Sequence, residues 1–176
     1  MKHCDRLMDV GRRQFFRGGT SVAASGIAAG VLPMRQADAT PAPARVNYPA
    51  LCLANVKDLK VDEALIIAYP DEDSPGVLLK LGRRVEGGVG SDGDIVAFST
   101  LCPHQGFPLA YIGKDKTLNC PGHYARFDCE KGGQEIFGHA PQNLAQFRLR
   151  VDANGNIHAE AVDEMIYGRL NNVLSA

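Results

Sequence analysis

The amino-acid sequence predicts an all-β fold, on two observations. Short runs of β-branched, aliphatic and aromatic residues recur between residues 65 and 162, and clusters of Gly, Asp, Asn and Ser separate most of them. The expected strands are Leu65–Tyr69, Val77–Leu81, Ile95–Ser99, Leu144–Val151 and Ile157–Val162. Gly90-Ser91-Asp92-Gly93-Asp94 turns the chain into the third of these. Asp152-Ala153-Asn154-Gly155-Asn156 joins the last two as a hairpin, since Asn and Gly tolerate the positive φ of tight turns. A C-terminal stretch, Asp163–Leu174, places Ile166, Leu170, Val173 and Leu174 at helix-like spacing and predicts a short helix. The Gly-rich segment 82–93 lacks both the glycine pattern and the strand-to-helix setting of a phosphate-binding loop.

Two segments of different composition precede the strands. Residues 1–39 begin basic, with Arg12-Arg13-Gln14-Phe15-Phe16, continue as a small-residue apolar run from Gly18 to Leu32, and close on Ala37-Asp38-Ala39. That layout resembles a twin-arginine (Tat) export signal with an A-x-A cleavage site. The apolar run, about 15 residues closed by Pro33, falls short of the roughly 20 strongly apolar residues that a bilayer span needs. Export to the periplasm is therefore expected, with membrane attachment only where the signal is retained as an anchor. Residues 40–49, with Pro41, Pro43 and Pro49, read as an extended linker, which leaves 50–176 as the domain proper.

The 176-residue chain is 45% apolar and 22% charged, which suits one ordinary domain with an appendage. Its net charge of −1 conceals a division: residues 1–39 hold six basic and three acidic residues, and the remainder holds 13 basic and 17 acidic ones. A mildly acidic domain without a basic run offers no footing to nucleic acid or an anionic membrane surface. Cys4 lies in the signal. Cys52, Cys102, Cys120 and Cys129 remain in an oxidising compartment, an even count that also admits disulfides.

Two of these cysteines are tied to histidines. Leu101–Asp128 reads LCPHQGFPLAYIGKDKTLNCPGHYARFD, with Cys102-x-His104 in one half and Cys120-x-x-His123 in the other. Two chemistries call for one thiolate and one imidazole from each of two loops. A tetrahedral zinc with two Cys and two His is one, although zinc sites usually bring their ligands as like pairs. A [2Fe–2S] cluster with thiolates on one iron and imidazoles on the other is the second, and it accounts for the mixing within each half. Pro103 and Pro121 stiffen the loop tips, while Gly106 and Gly122 let backbone N–H groups approach sulfur. The sequence shows no acid–base dyad, nucleophile triad or second cofactor motif, so no catalytic residue is expected on this chain.

These segments resemble the two cluster-binding boxes of Rieske iron–sulfur proteins. Phe127-Asp128 and Gly138-His139-Ala140-Pro141 are similar to the segment after the second box and to the family's proline-containing third loop. The resemblance implies a Rieske-type antiparallel β-sandwich or barrel with an inserted cluster-binding subdomain of two loops, about residues 99–141. It also implies a [2Fe–2S] cluster as cofactor, with Cys102, His104, Cys120 and His123 as its ligands.

Departures from the family pattern are informative. Many respiratory Rieske proteins carry a further Cys in each box and join the loops by a disulfide; the matching positions here are Phe107 and Gly122. No bridge can form there, and packing of Phe107 is expected to hold the loops instead. The Ser and Tyr whose hydroxyls donate to cluster sulfur in respiratory relatives are matched by Ala125 and Phe127, so a lower reduction potential is expected. His139 reads as an ordinary exposed loop residue, with a place beside the cluster as the alternative. His158 reads as solvent-facing on its strand. Cys52 and Cys129 read as inert packing thiols rather than as a disulfide.

Beyond the signal the chain most resembles the small subunits of arsenite oxidases, in YPALCLANVKDL (Tyr48–Leu59), CPHQGFPLAY (Cys102–Tyr111), CPGHYARFD (Cys120–Asp128) and IYGRL (Ile166–Leu170). That resemblance implies a large molybdopterin subunit with a [3Fe–4S] cluster, which oxidises arsenite to arsenate. A periplasmic cytochrome c or small copper protein is the implied electron acceptor. The alternative readings are the Rieske subunit of a quinol–cytochrome c reductase, weakened by the missing bridge cysteines and the Ala37-Asp38-Ala39 site, and a zinc-binding module.

Overall fold

A computed structural model describes residues 48–168. The export signal, the linker up to residue 47 and the last part of the expected C-terminal helix lie outside the described residues.

Among the described residues the chain forms β1 (Leu51–Asn55), β2 (Ala64–Ala68), β3 (Pro75–Lys80), β4 (Ile95–Ser99), β5 (Ala110–Ile112), β6 (Thr117–Asn119), β7 (Arg126–Asp128), β8 (Gln134–Phe137), β9 (Gln146–Val151) and β10 (Asn156–Val162). They assemble into a six-stranded antiparallel sheet, ordered β1-β10-β9-β4-β3-β2, and a four-stranded one, β5-β6-β7-β8. No helix among the described residues is long and apolar enough to cross a membrane.

Both faces of the β3–β4 pair are buried, which explains why their sequences are apolar without interruption. Val77 and Leu79 of β3, with Val96 and Phe98 of β4, face one core that also holds Leu109, Leu118, Phe127 and Leu144. Leu78, Ile95 and Ala97 point the opposite way, as the two-residue period of a strand requires, into a second core with Tyr69, Phe147, Ile157 and Ala159. Leu53 and Ala54 from one edge of the large sheet and Leu65 and Ile67 from the other pack on this same second core. The sheet therefore curls on itself as an open barrel. Full burial of each large side chain contributes about 1.5–3 kcal/mol, and truncating one, as in Phe147→Ala, costs about 3–5 kcal/mol.

The small sheet is an insertion into the large one. β4 and β9 pair directly through Ala97 with Phe147 and Phe98 with Gln146, and all of β5–β8 lies in the chain between them. The first core fastens the insertion to the barrel, and two ion pairs reinforce it at the rim. Lys116 meets Asp62 and donates to the Leu81 carbonyl at 3.1 Å, while Arg83 pairs with Glu130.

All five expected strands are present, with β9 beginning at Gln146 rather than Leu144. Over its described part the expected helix is absent: Asp163–Gly168 forms bends and a turn. Its residues are engaged elsewhere. The Asp163 carboxylate accepts the Gln146 N–H at 2.7 Å, the Gln142 side-chain amide donates to the Met165 carbonyl at 2.8 Å, and Ile166 is drawn into the second core at 2% exposure. These tertiary partners outweigh a helix too short to be stable alone.

Candidate metal centre

Two loops of the insertion have the same backbone design. In the first, the Cys102 N–H donates to the Phe107 carbonyl at 2.9 Å and the Gly106 N–H to the Cys102 carbonyl at 2.8 Å. In the second, the Cys120 N–H donates to the Ala125 carbonyl at 2.8 Å. Each loop thus closes from its cysteine to the residue five positions on. In each, the residue four positions on takes a left-handed backbone: Gly106 at φ 71° and Tyr124 at φ 64°.

This mirrored design brings all four expected ligands together in two layers. Cys102 and Cys120 are 1% and 3% exposed. Burial pushes the Cys102 thiol pKa up, while the backbone N–H groups of His104 and Gln105, directed at its sulfur, pull it down; the neighbouring Cys120 side chain raises it further. Outside the sulfurs, the rings of His104 and His123 meet edge to face with centroids 4.7 Å apart; His104 is half-buried and His123 exposed.

Packing takes the place of a covalent link between the loops. The Phe107 ring lies against Gly122, where a Cβ would come within 2.8 Å of it, and stands perpendicular to His123 with centroids 5.9 Å apart. A third loop closes over the pair. The Glu135 carboxylate accepts the Ala140 N–H at 2.7 Å, and Gly138 sits so tightly on Ala125 that any side chain there would overlap it. This contact carries His139 to 6.3 Å from the His104 ring, centroid to centroid.

The donor set fits a [2Fe–2S] group of the mixed-ligand type. Two buried thiols with N–H groups aimed at a sulfur suit the iron held by thiolates, and two imidazoles at the rim suit the other. Residues 50–148 match the family model of the Rieske [2Fe-2S] domain. The chain belongs to the Rieske family.

Its relatives agree. The iodate reductase subunit IdrB of Denitromonas iodatirespirans is 40% identical over 131 residues, covering 73% of this chain and 70% of that one. IdrB of Pseudomonas sp. (strain SCT) is 37% identical over 165 residues, or 90% of this chain and 82% of that one. Among solved structures, the soluble domain of Rieske protein II (soxF) from Sulfolobus acidocaldarius superposes with a TM-score of 0.63 at 23% identity, covering 70% of this chain and 82% of that one, and so shares the fold.

Three expectations about other residues need comment. His139 is exposed, as expected of a loop residue, and the Glu135 and Gly138 contacts set its loop so that its ring lies 6.3 Å from that of His104. His158 is not simply solvent-facing: its ring lies 3.3 Å from the Asp152 carboxylate across the β9–β10 hairpin, and its side chain is only 21% exposed. Cys52 and Cys129 are both free, Cys52 exposed on β1 and Cys129 buried in the first core, where burial pushes its thiol up to about 12. Sequence reasoning missed Tyr167, whose ring rests on Gly106. The glycine four positions after Cys102 was the available signal.

Proposed function

We propose that this chain is the electron-transfer subunit of a periplasmic oxidoreductase of the arsenite oxidase type, exported through the Tat route by the signal at Arg12-Arg13. Its partner is a large molybdopterin subunit with a [3Fe–4S] cluster, which oxidises arsenite to arsenate, and its acceptor is a periplasmic cytochrome c or small copper protein. One observation carries the reading: two imidazoles meet at the rim over two buried thiols. A Rieske cluster, when bound, takes up and releases one electron at a time. Cys102 and Cys120, both buried, would hold that group on the side away from water, and His104 and His123 would hold it on the side nearer the surface, where a redox partner can approach.

The relatives favour a second reading of the same subunit, because both are subunits of iodate reductases and one aligns with 90% of this chain. In that reading electrons run the other way, from a periplasmic donor through this chain to a large subunit that reduces iodate. The test is isolation from native periplasm with whatever co-purifies, followed by iron and molybdenum analysis and dye-linked assays with arsenite and with iodate. Molybdenum, a large second chain and arsenite-dependent dye reduction are expected; turnover of iodate alone would select the second reading. Iron without molybdenum would remove both and leave a respiratory or free electron carrier.

A further inference from the structure

The segment after β10 runs as a strap with three anchors. Ile166 is buried in the second core with Tyr69 and Phe147, the Met165 carbonyl accepts from Gln142 next to the third loop at 2.8 Å, and the Tyr167 ring covers Gly106 of the first loop. A Cβ at Gly106 would overlap that ring. One short stretch thus touches the barrel, the third loop and the turn that carries Cys102 and His104.

We propose that Tyr167 is a positioning residue for the metal centre: fixed to the barrel through Ile166, its ring clamps the Cys102–Phe107 turn at Gly106. Three features support this. First, the matching position of the second loop holds Tyr124, at φ 64° and 73% exposed, so a glycine is demanded at 106 by the clamp and not by the backbone alone. Second, the N–H groups that face the Cys102 sulfur belong to His104 and Gln105, inside the clamped turn, so movement of the turn misaligns them. Third, Phe107 and Gly122 leave no disulfide between the loops, so apart from the cluster itself only non-covalent contacts hold the two loops in place.

The test uses the full chain loaded with its cluster, comparing Tyr167→Ala, Tyr167→Leu and Tyr167→Phe. The readouts are the line width of the reduced EPR signal, the rate of iron loss to a chelator, and hydrogen exchange at the Gly106 amide. Tyr167→Ala is expected to broaden the signal, expose the Gly106 amide and speed iron loss about tenfold, the effect of losing one aromatic contact. Tyr167→Leu is expected to fall between, and Tyr167→Phe to behave as the native chain. Asn55→Ala, which removes the side-chain cap of the short helical turn Val56–Asp58 at the end of β1, away from the strap and the loops, controls for general destabilisation. The proposal is overturned if Tyr167→Ala keeps the native line width and rate, or if its changes merely track the fall in Tm that the control sets. The inference rests on the four-ligand assignment; a native chain without a Rieske EPR signal would remove that assignment before any variant is compared.

Discussion

Four positions after its cysteine, the first cluster-binding loop has Gly106 at φ 71° and the second has Tyr124 at φ 64°. The hydrogen bonds that close the two loops are 2.9 and 2.8 Å, and the backbones match. Their surroundings do not. Gly106 lies under the Tyr167 ring, whereas the Tyr124 side chain projects into solvent. A left-handed residue with a side chain costs about 1–2 kcal/mol, which the second loop tolerates. A glycine in such a turn is therefore required where a neighbour fills the space above it, and the turn alone does not impose it.

The comparison is broken most severely by removing a ligand. If the loops are equal partners, Cys102→Ser and Cys120→Ser each abolish the Rieske optical and EPR signature completely. A signature surviving in one of the two variants would show that its loop is not a ligand loop.

Gly106→Ala ranks next, at about 3 kcal/mol of lost stability in chemical denaturation, from the left-handed backbone and the overlap with Tyr167 together. Its mirror, Tyr124→Gly, removes strain in one loop but adds freedom to the unfolded chain, and the net change is within about 1 kcal/mol. Equal losses in the two variants would erase the distinction between a clamped and an open loop.

A gentler change sharpens the contrast between loops. Ala125→Ser in the second loop introduces a hydroxyl where hydroxyl-bearing relatives have one, and a donor to cluster sulfur stabilises the reduced state. A rise of about 60 mV is expected, the value of one such hydrogen bond in a one-electron couple, read by redox titration. An unchanged or lower potential would mean that residue 125 does not face the sulfurs, although it is buried in the core that holds Cys120.

The barrel was legible because burial on both faces writes an uninterrupted apolar run into β3 and β4. Hairpin chemistry at Asp152–Asn156 marked the β9–β10 turn, where the structure places Gly155 at φ 83°. The three-residue strands β5, β6 and β7 could not be read, because three residues do not complete a repeat and the ladder to their neighbours holds them. β1 was missed for a related reason: unlike β2 at the other edge, whose exposed and half-buried residues alternate, β1 carries a register shift between Cys52 and Ala54 and shows no alternation. The ligands were legible because a mixed-ligand cluster dictates one Cys and one His per loop at close spacing. His139 and Tyr167 depend on contacts with residues 35 and 61 positions earlier in the chain, His104 and Gly106, which local pattern does not encode.

The direct pairing of β4 with β9 has a consequence for how such a molecule can change. Residues 100–145 leave the barrel after Ser99 and return before Gln146, and their ends are joined across one hydrogen bond, Ser99 N–H to Ala145 C=O at 2.9 Å. The whole metal-binding portion is thus one long loop with adjoining ends. Closure entropy rises only logarithmically with loop length, so even doubling such a loop adds about 0.6 kcal/mol. Segments can be lengthened or shortened inside the excursion at little entropic cost to the barrel, provided that Leu109, Leu118, Phe127 and Leu144, which complete the first core against β3 and β4, are kept.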